Sequence, residues 1–185
     1  MFEVDVLPLS LFLLFTLSSF RYPAGPVADR WRVWPVTRVF PYAITGTSPS
    51  GAQVTYLLAG IAPETSCAAA FRAAPPACVT ALRATYADST ATFVATAGIA
   101  VLARPVPLGT ADRVTVRPVA FPGPAEHFGE RQCFTGARLA SDAYLVATVA
   151  GYADGRSYHA GARVMSRLGG LARQLATALH RGLTE

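Results

Sequence analysis

The sequence predicts an α+β fold, with an antiparallel sheet of about four to five strands and a C-terminal amphipathic helix packed on one face. Three observations predict it. First, several runs rich in Val, Thr and Tyr are bounded by turn residues. Second, residues 159–183 repeat apolar side chains at helical spacing. Third, residues 1–20 are mostly apolar, so a hydrophobic helix is expected to precede the sheet. A Pro- and Gly-containing linker at 21–31 then leads to a single domain at 32–185.

The N-terminal element contains no charged residue between Val6 and Phe20. A soluble core helix would show a polar stripe, and a cleaved signal peptide would carry a basic start, whereas this chain carries Glu3 and Asp5. Counting residues 4–20 gives 17 residues, at the short end of the ~20 that cross a bilayer. The segment therefore predicts a retained single-pass anchor, with a cleaved signal or a buried core segment as the alternatives.

The charges that flank this segment and the cysteines that follow it favour opposite orientations. Arg21, Arg30 and Arg32 come after the segment, so the positive-inside rule places the domain in the cytoplasm. A disulfide between Cys67 and Cys78 would instead require an oxidising compartment. An initiation codon assigned a few residues late would explain the acidic start, so we expect the cell membrane and an extracytoplasmic domain.

The first part of the domain reads as extended chain. Residues 31–46 suggest extended structure that Pro35 and Pro41 restrict to an edge strand or an irregular arm. The turn cluster GTSPSG at 46–51 follows, and QVTYLLAGI at 53–61 predicts a strand.

A short Ala-rich helix is predicted at 64–74, capped by Thr65 or Ser66 and stopped by Pro75-Pro76. The Pro-Pro reversal can bring the end of this segment back alongside its start, where Cys67 and Cys78 stand. We therefore predict a Cys67–Cys78 disulfide, with two buried free thiols as the alternative.

The clearest hairpin signal is the pair of β-rich runs at 82–86 and 92–102, which flank a polar turn at 87–90. Residues 112–121 alternate, with Val114 and Val116 on one side of the chain and Arg and Thr on the other. This alternation predicts a strand with one face in solvent.

The rest of the chain ends in a strand and a helix. Residues 124–142 suggest a short helix and then a loop, and 143–156 predict a strand ending at the turn signal Asp154-Gly155. The YAD motif at 86–88 recurs at 152–154, which we interpret as two turns that use Asp alike. We expect the apolar stripe of the C-terminal helix to pack on the sheet and not on a membrane surface. The stripe contains Val164, Leu168, Leu171, Leu175, Ala178 and Leu179.

The composition argues against a nucleic-acid partner. The chain has 16 basic residues, all of them Arg, and it has no Lys and no Asn. This skew is typical of a GC-rich genome, so the net charge of +5 carries little functional information. The Arg residues are scattered singly and form no basic run with interleaved aromatic residues.

A thiol-dependent enzyme is the alternative to a binding function. Cys133 lies within a turn or two of His127, Glu126, Glu130 and Arg131, so a Cys133–His127 nucleophile can be imagined. Catalytic Cys and His usually come from separate elements, however, and the two glutamates read as a helix surface. We therefore predict a binding domain without catalytic residues.

No metal or cofactor is predicted from the sequence. His127, His159 and His180 are dispersed singly, and neither HExxH nor CxxC occurs. The nucleotide-binding patterns GxGxxG and GxxxxGK[ST] are also missing. His180 is expected on a solvated helix face.

Five parts of the sequence carry a resemblance: residues 31–46, the cysteine pair and the stretches ATYADSTATFVATAGIAVL, VAFPG and YLVATVAGYADGR. Together they resemble a group of uncharacterised actinobacterial proteins. The resemblance covers most of the chain after Arg32, but it supplies no catalytic residue. It implies a membrane anchor and an extracytoplasmic domain. The acidic N-terminus and Cys133 depart from the pattern.

These observations predict a non-enzymatic, membrane-anchored extracytoplasmic domain that binds an unknown protein or small molecule. Its membrane contact is expected through the N-terminal segment. The alternatives are the Cys133–His127 enzyme and a membrane-associated regulator that faces the cytoplasm.

Overall fold

The computed structural model describes residues 27–106, 109–132, 136–157 and 165–185. The hydrophobic segment predicted as an anchor lies outside these residues and stays a prediction. Among the helices that are described, none is both long enough and apolar enough to cross a bilayer.

The described chain folds as a six-stranded antiparallel sheet with one long helix. The sheet order is β1-β2-β3-β4-β6-β5. The strands are β1 (Ala43–Thr47), β2 (Gln53–Thr65), β3 (Cys78–Asp88), β4 (Phe93–Leu102), β5 (Arg138–Ala140) and β6 (Tyr144–Tyr152), and the α-helices are α1 (Val36–Val39), α2 (Cys67–Ala70) and α3 (Met165–Thr184). The α+β class is confirmed. The predicted number of four to five strands is too low, because the sheet has six strands and β5, with only three residues, is too short to be recognised in the sequence.

The middle of the sheet is the β3–β4 hairpin with β6 beside β4. The hairpin pairs Leu82 with Ile99 and Thr85 with Thr96, and β4 continues against β6 with Ile99 opposite Val146. The predicted hairpin is therefore confirmed. All nine residues of β6 are buried, which means that both faces of the sheet are covered at this strand.

The helix α3 covers one face of the sheet, as predicted. Its buried stripe packs on the side chains of β3, β4 and β6 that point to the same face, among them Tyr86, Ile99 and Val146. Removing this apolar surface from water is the main source of stability for such a layer. Within the described helix, the buried positions are Leu168, Leu171, Ala172, Leu175, Ala176, Leu179 and Leu183.

An irregular segment covers the other face, and it includes the predicted strand at 112–121. The prediction of a strand is wrong: a 3-10 helix spans Ala111–Arg113, and in the described chain the rest of the segment makes only an isolated bridge, between Phe71 and Val116. Val114 and Val116 are each 1% exposed because they point down onto the sheet. The alternation correctly indicated extended chain, but the polar side of the segment faces outward from a covering layer.

The N-terminal arm is partly helical, which corrects the prediction of extended structure. A 3-10 helix spans Val27–Val33 and α1 follows it. Pro35 stands immediately before α1, where its fixed φ and missing N–H are tolerated. The strand β1, which begins after Pro41, does lie at the sheet edge.

The outer edge of β2 is paired with β1 only from Gln53 to Leu57. Beyond this point the strand carries two register shifts against β3, one between Leu58 and Gly60 and one between Ala62 and Thr65. Each shift inserts one extra residue into β2, and Pro63 lies within the second. The unpaired part of the edge is therefore bulged and interrupted by proline.

Candidate functional site

The predicted disulfide is present. Cys67 and Cys78 are bonded, with Cα atoms 6.2 Å apart. Ser66 caps α2 by accepting a hydrogen bond from the N–H of Ala69 at 3.3 Å, which confirms one of the two predicted caps. The predicted helix is shorter than expected: it ends at Ala70, and Phe71 turns its side chain into the core. The bond therefore ties the start of α2 to the start of β3.

Cys133 lies outside the described residues, so the Cys133–His127 pair stays an alternative hypothesis. His127 is exposed in a run of turns at 122–127, which replaces the short helix predicted there. Glu126 is also exposed and lies in the same turns. The described residues contain no group of three potential metal ligands.

Glu130 has a structural role. Its carboxylate accepts hydrogen bonds from Arg117 Nη1 at 2.7 Å and from Arg72 Nη2 at 3.1 Å. The bond from Arg117, and then the charge of Arg72, hold the pKa of Glu130 below its usual value. The three side chains clamp the irregular covering segment to the residues that follow α2.

His180 is half-buried beside β5, so the predicted solvated position is wrong. Its Nε2 atom is buried and has no hydrogen-bond partner in the described part of the chain. Burial lowers the pKa of His180, while a hydrogen bond with the backbone of Ala140 opposes that effect. The imidazole is therefore held preferentially in its neutral form.

A cavity of about 260 Å³ opens at the end of the sheet where β1 turns into β2 and β3 turns into β4. The first residues of α3 complete its wall through Arg167 and Leu171. Its lining is mixed: hydroxyl groups come from the two turns, and apolar surface comes from Tyr56, Phe93 and Leu171. The hydroxyl side chains are Thr47, Ser48, Ser50, Ser89, Thr90 and Thr92.

Asp88 is the one carboxylate that the described residues contribute to the cavity wall, and its oxygens are bonded within the β3–β4 turn. Oδ1 accepts the N–H groups of Thr92 at 2.8 Å and Phe93 at 2.9 Å, and Oδ2 accepts the hydroxyl of Thr90 at 2.5 Å. These three bonds fix the carboxylate in the turn, so Asp88 shapes the wall of the cavity.

Tyr56 lies directly opposite Asp88 across the β2–β3 ladder. Burial, and then the charge of Asp88, raise the pKa of the Tyr56 phenol. The phenol consequently stays protonated and can donate or accept a hydrogen bond. Arg167 is the one cation among the described residues that line the cavity, and it is exposed.

The wall of the cavity is held in place by Gln174 of α3. Its amide accepts the N–H of Thr47 at 2.7 Å and donates to the carbonyl of Thr47 at 2.7 Å. This bidentate contact fixes the end of β1 against α3. Gly46 permits the close approach, because a Cβ at that position would stand 1.7 Å from Gln174 Oε1.

Sequence reasoning identified Asp88 as a turn residue but missed the cavity. Tyr56, Asp88 and Arg167 come from three separate elements, and no spacing along the chain links them. The second YAD motif behaves as the first does: Asp154 accepts the N–H of Arg156 at 3.1 Å. The repeat of YAD therefore reflects two Asp-stabilised turns.

Comparison of the chain with protein-family models, with curated protein sequences and with solved structures gives no match.

Proposed function

We propose that the protein is a membrane-anchored extracytoplasmic binding domain whose cavity takes a small polyhydroxylated ligand carrying an anionic group. The cavity between the two turns and α3 is the observation that carries the proposal. Hydroxyl side chains are suited to exchanging hydrogen bonds with a polyol, and Tyr56, Phe93 and Leu171 offer an apolar surface. Arg167 supplies the charge that an anionic group would pair with.

The chemistry of the lining supports binding over catalysis. Asp88 is fully engaged in the β3–β4 turn, and the raised pKa of Tyr56 keeps its proton in place. A phenol that keeps its proton cannot act as a base. The other polar side chains of the described lining are hydroxyls, the amide of Gln53 and the guanidinium of Arg167, which are suited to recognising a ligand by hydrogen bonds.

The Cys67–Cys78 bond supports a location outside the cytoplasm, because structural disulfides persist in oxidising compartments. The uncharged stretch from Val6 to Phe20 supports an anchor. The resemblance to anchored actinobacterial proteins agrees with both. Retention of the full-length chain in the membrane fraction after an alkaline carbonate wash tests the anchor.

Calorimetric titration of the full-length protein with glucose 6-phosphate and with glucose tests the ligand class. We expect measurable binding of the phosphate ester and weaker binding of the neutral sugar, because only the ester can pair with Arg167. Arg167→Gln should abolish this preference. Arg181→Gln is the matched control, since Arg181 is also exposed on α3 but is not part of the cavity lining. The proposed ligand class would be contradicted if both variants bound glucose 6-phosphate equally well. It would also be contradicted if the native protein bound neither ligand.

A further inference from the structure

An apolar and basic face lies at the N-terminal start of the described chain. We call it the Trp/Arg face: Trp31, Trp34 and Val36 border one groove, Arg30, Trp34 and Arg38 border the next, and Val33 lies between them in the chain. Val33 is 84% exposed and Val36 is 60% exposed. Exposed aliphatic side chains that adjoin an apolar groove form a patch of the kind that meets an apolar phase.

The two tryptophans on this face are arranged with cations. The guanidinium of Arg38 lies 4.1 Å from the centre of the Trp34 ring, and that of Arg32 lies 4.6 Å from the Trp31 ring. Both indoles are half-buried and border a groove of about 180 Å³ with Ile61, which is 37% exposed. Indole rings flanked by Arg are typical of side chains at the level of lipid headgroups.

The chain length before this face limits how far it can be from the predicted anchor. Six residues lie between Phe20 and Val27, and the seven Cα–Cα steps that join the two reach about 25 Å at most in a fully extended chain. If residues 4–20 cross the bilayer, the start of the 3-10 helix at Val27–Val33 must lie within about 25 Å of the membrane surface. The apolar side chains of the face are thus within reach of an apolar phase.

We infer that the Trp/Arg face docks on the membrane that holds the anchor, with Val33, Val36 and the two indoles in the interfacial region. This inference rests on the proposed anchoring. The apolar side chains, and not the net charge, define the contact. Asp142 and Glu185 line the neighbouring cavity together with Arg30 and Arg38, so the negative charges there offset the positive ones. Docking would fix the orientation of the domain on the bilayer, which a linker alone would leave free.

The chain contains only two tryptophans, Trp31 and Trp34, and both are on this face. Tryptophan fluorescence of the full-length protein in lipid vesicles therefore reports on this face alone. We expect loss of most of the emission when the vesicles contain lipids brominated near the headgroup end of the acyl chain. Aqueous iodide should quench the same emission only weakly.

The double variant Val33→Asp/Val36→Asp tests the apolar contact. We expect the variant to stay folded, because both side chains are exposed. Its tryptophan emission should be quenched by iodide and no longer by the brominated lipids. Val79→Asp is the matched control: Val79 is 59% exposed, close to the 60% of Val36, but lies at the start of β3. The control should keep the quenching pattern of the native chain.

The possible failures are distinguishable. A chain that does not float with vesicles of any composition overturns the proposed anchoring and the docking with it. A chain that floats while its emission is quenched by iodide and not by lipid overturns the docking alone. Emission protected from both quenchers would also overturn it, because the groove would then be covered by protein, either residues 1–26 or a second copy.

Discussion

The hydroxyl oxygens of Thr85 and Thr96 lie 2.7 Å apart at the centre of the sheet, and both are bonded to the backbone of Val119. Thr85 donates to the Val119 carbonyl at 2.7 Å, and Thr96 accepts the Val119 N–H at 3.0 Å. Because the Thr85 proton is used in this way, Thr96 donates to Thr85. Two fully buried threonines thereby hold the covering segment on the sheet.

Replacing Thr96 by Val should destabilise the fold, because it removes the acceptor of a backbone N–H and the partner of Thr85. A buried polar group left unpaired costs about 1–3 kcal/mol. Urea unfolding of the full-length protein in detergent measures the loss. Thr96→Ser, which keeps the hydroxyl, should lose less, and equal losses in the two variants would show that the hydroxyl is unimportant.

Removing the disulfide should also lower the free energy of unfolding. The bond joins residues 11 apart in sequence, and the chain-entropy model gives about 3 kcal/mol for a loop of this size. Cys67→Ala/Cys78→Ala tests this by thermal or urea unfolding. The control is Cys133→Ala, which leaves the bond intact. Thiols of Cys67 and Cys78 that alkylate without reductant in protein isolated from its native membrane would contradict the bond.

The unfolding free energy should fall as the pH drops below about 6.5, the ordinary pKa of histidine. Burial lowers the pKa of His180 in the folded state, so the unfolded chain takes up the proton first and is favoured at acidic pH. The stabilisation is fully present above the unfolded pKa and declines as the pH falls towards the folded one. Unfolding curves between neutral pH and pH ~5 measure this slope. His180→Gln should flatten it, and an unchanged slope would exclude His180 as its source.

Gly46→Ala should be destabilising. Backbone entropy alone would favour alanine by about 0.5–1 kcal/mol, because glycine loses more conformational freedom on folding. The new Cβ would meet Gln174 Oε1 and Tyr56 Cε2, which lie 1.7 Å and 2.8 Å from its position. Gln174 would then have to release Thr47. In a Gln174→Ala background the same change should cost much less, and strictly additive effects would argue against this contact.

The sequence predicted the elements that depend on local pattern. The β3–β4 hairpin follows from two β-rich runs around a turn, and α3 follows from an apolar stripe that the core confirms from Leu168 to Leu179. The covering segment was misread because alternation of Val114 and Val116 indicates extended chain but not its pairing partner. The strand β5, at Arg138–Ala140, is too short to leave a pattern.

The candidate cavity could not be predicted for a different reason. Tyr56 and Asp88 become neighbours only through the β2–β3 register, and Arg167 joins them only because α3 packs on that face of the sheet. Each residue taken alone has an ordinary explanation as a strand, turn or helix-surface side chain. Only the disulfide among the predicted site features was local enough to infer, since a Pro-Pro reversal separates its two cysteines.

The bulged outer edge of β2 has a consequence for copies of the chain that meet one another. Exposed backbone donors and acceptors on a flat edge invite another chain to add a strand, which leads to fibres. Past Leu57, two extra residues and Pro63 break the spacing that such a ladder needs. The outermost strands, β1 and β5, offer only five and three residues. Crowded copies can therefore collide edge to edge without polymerising through their sheets.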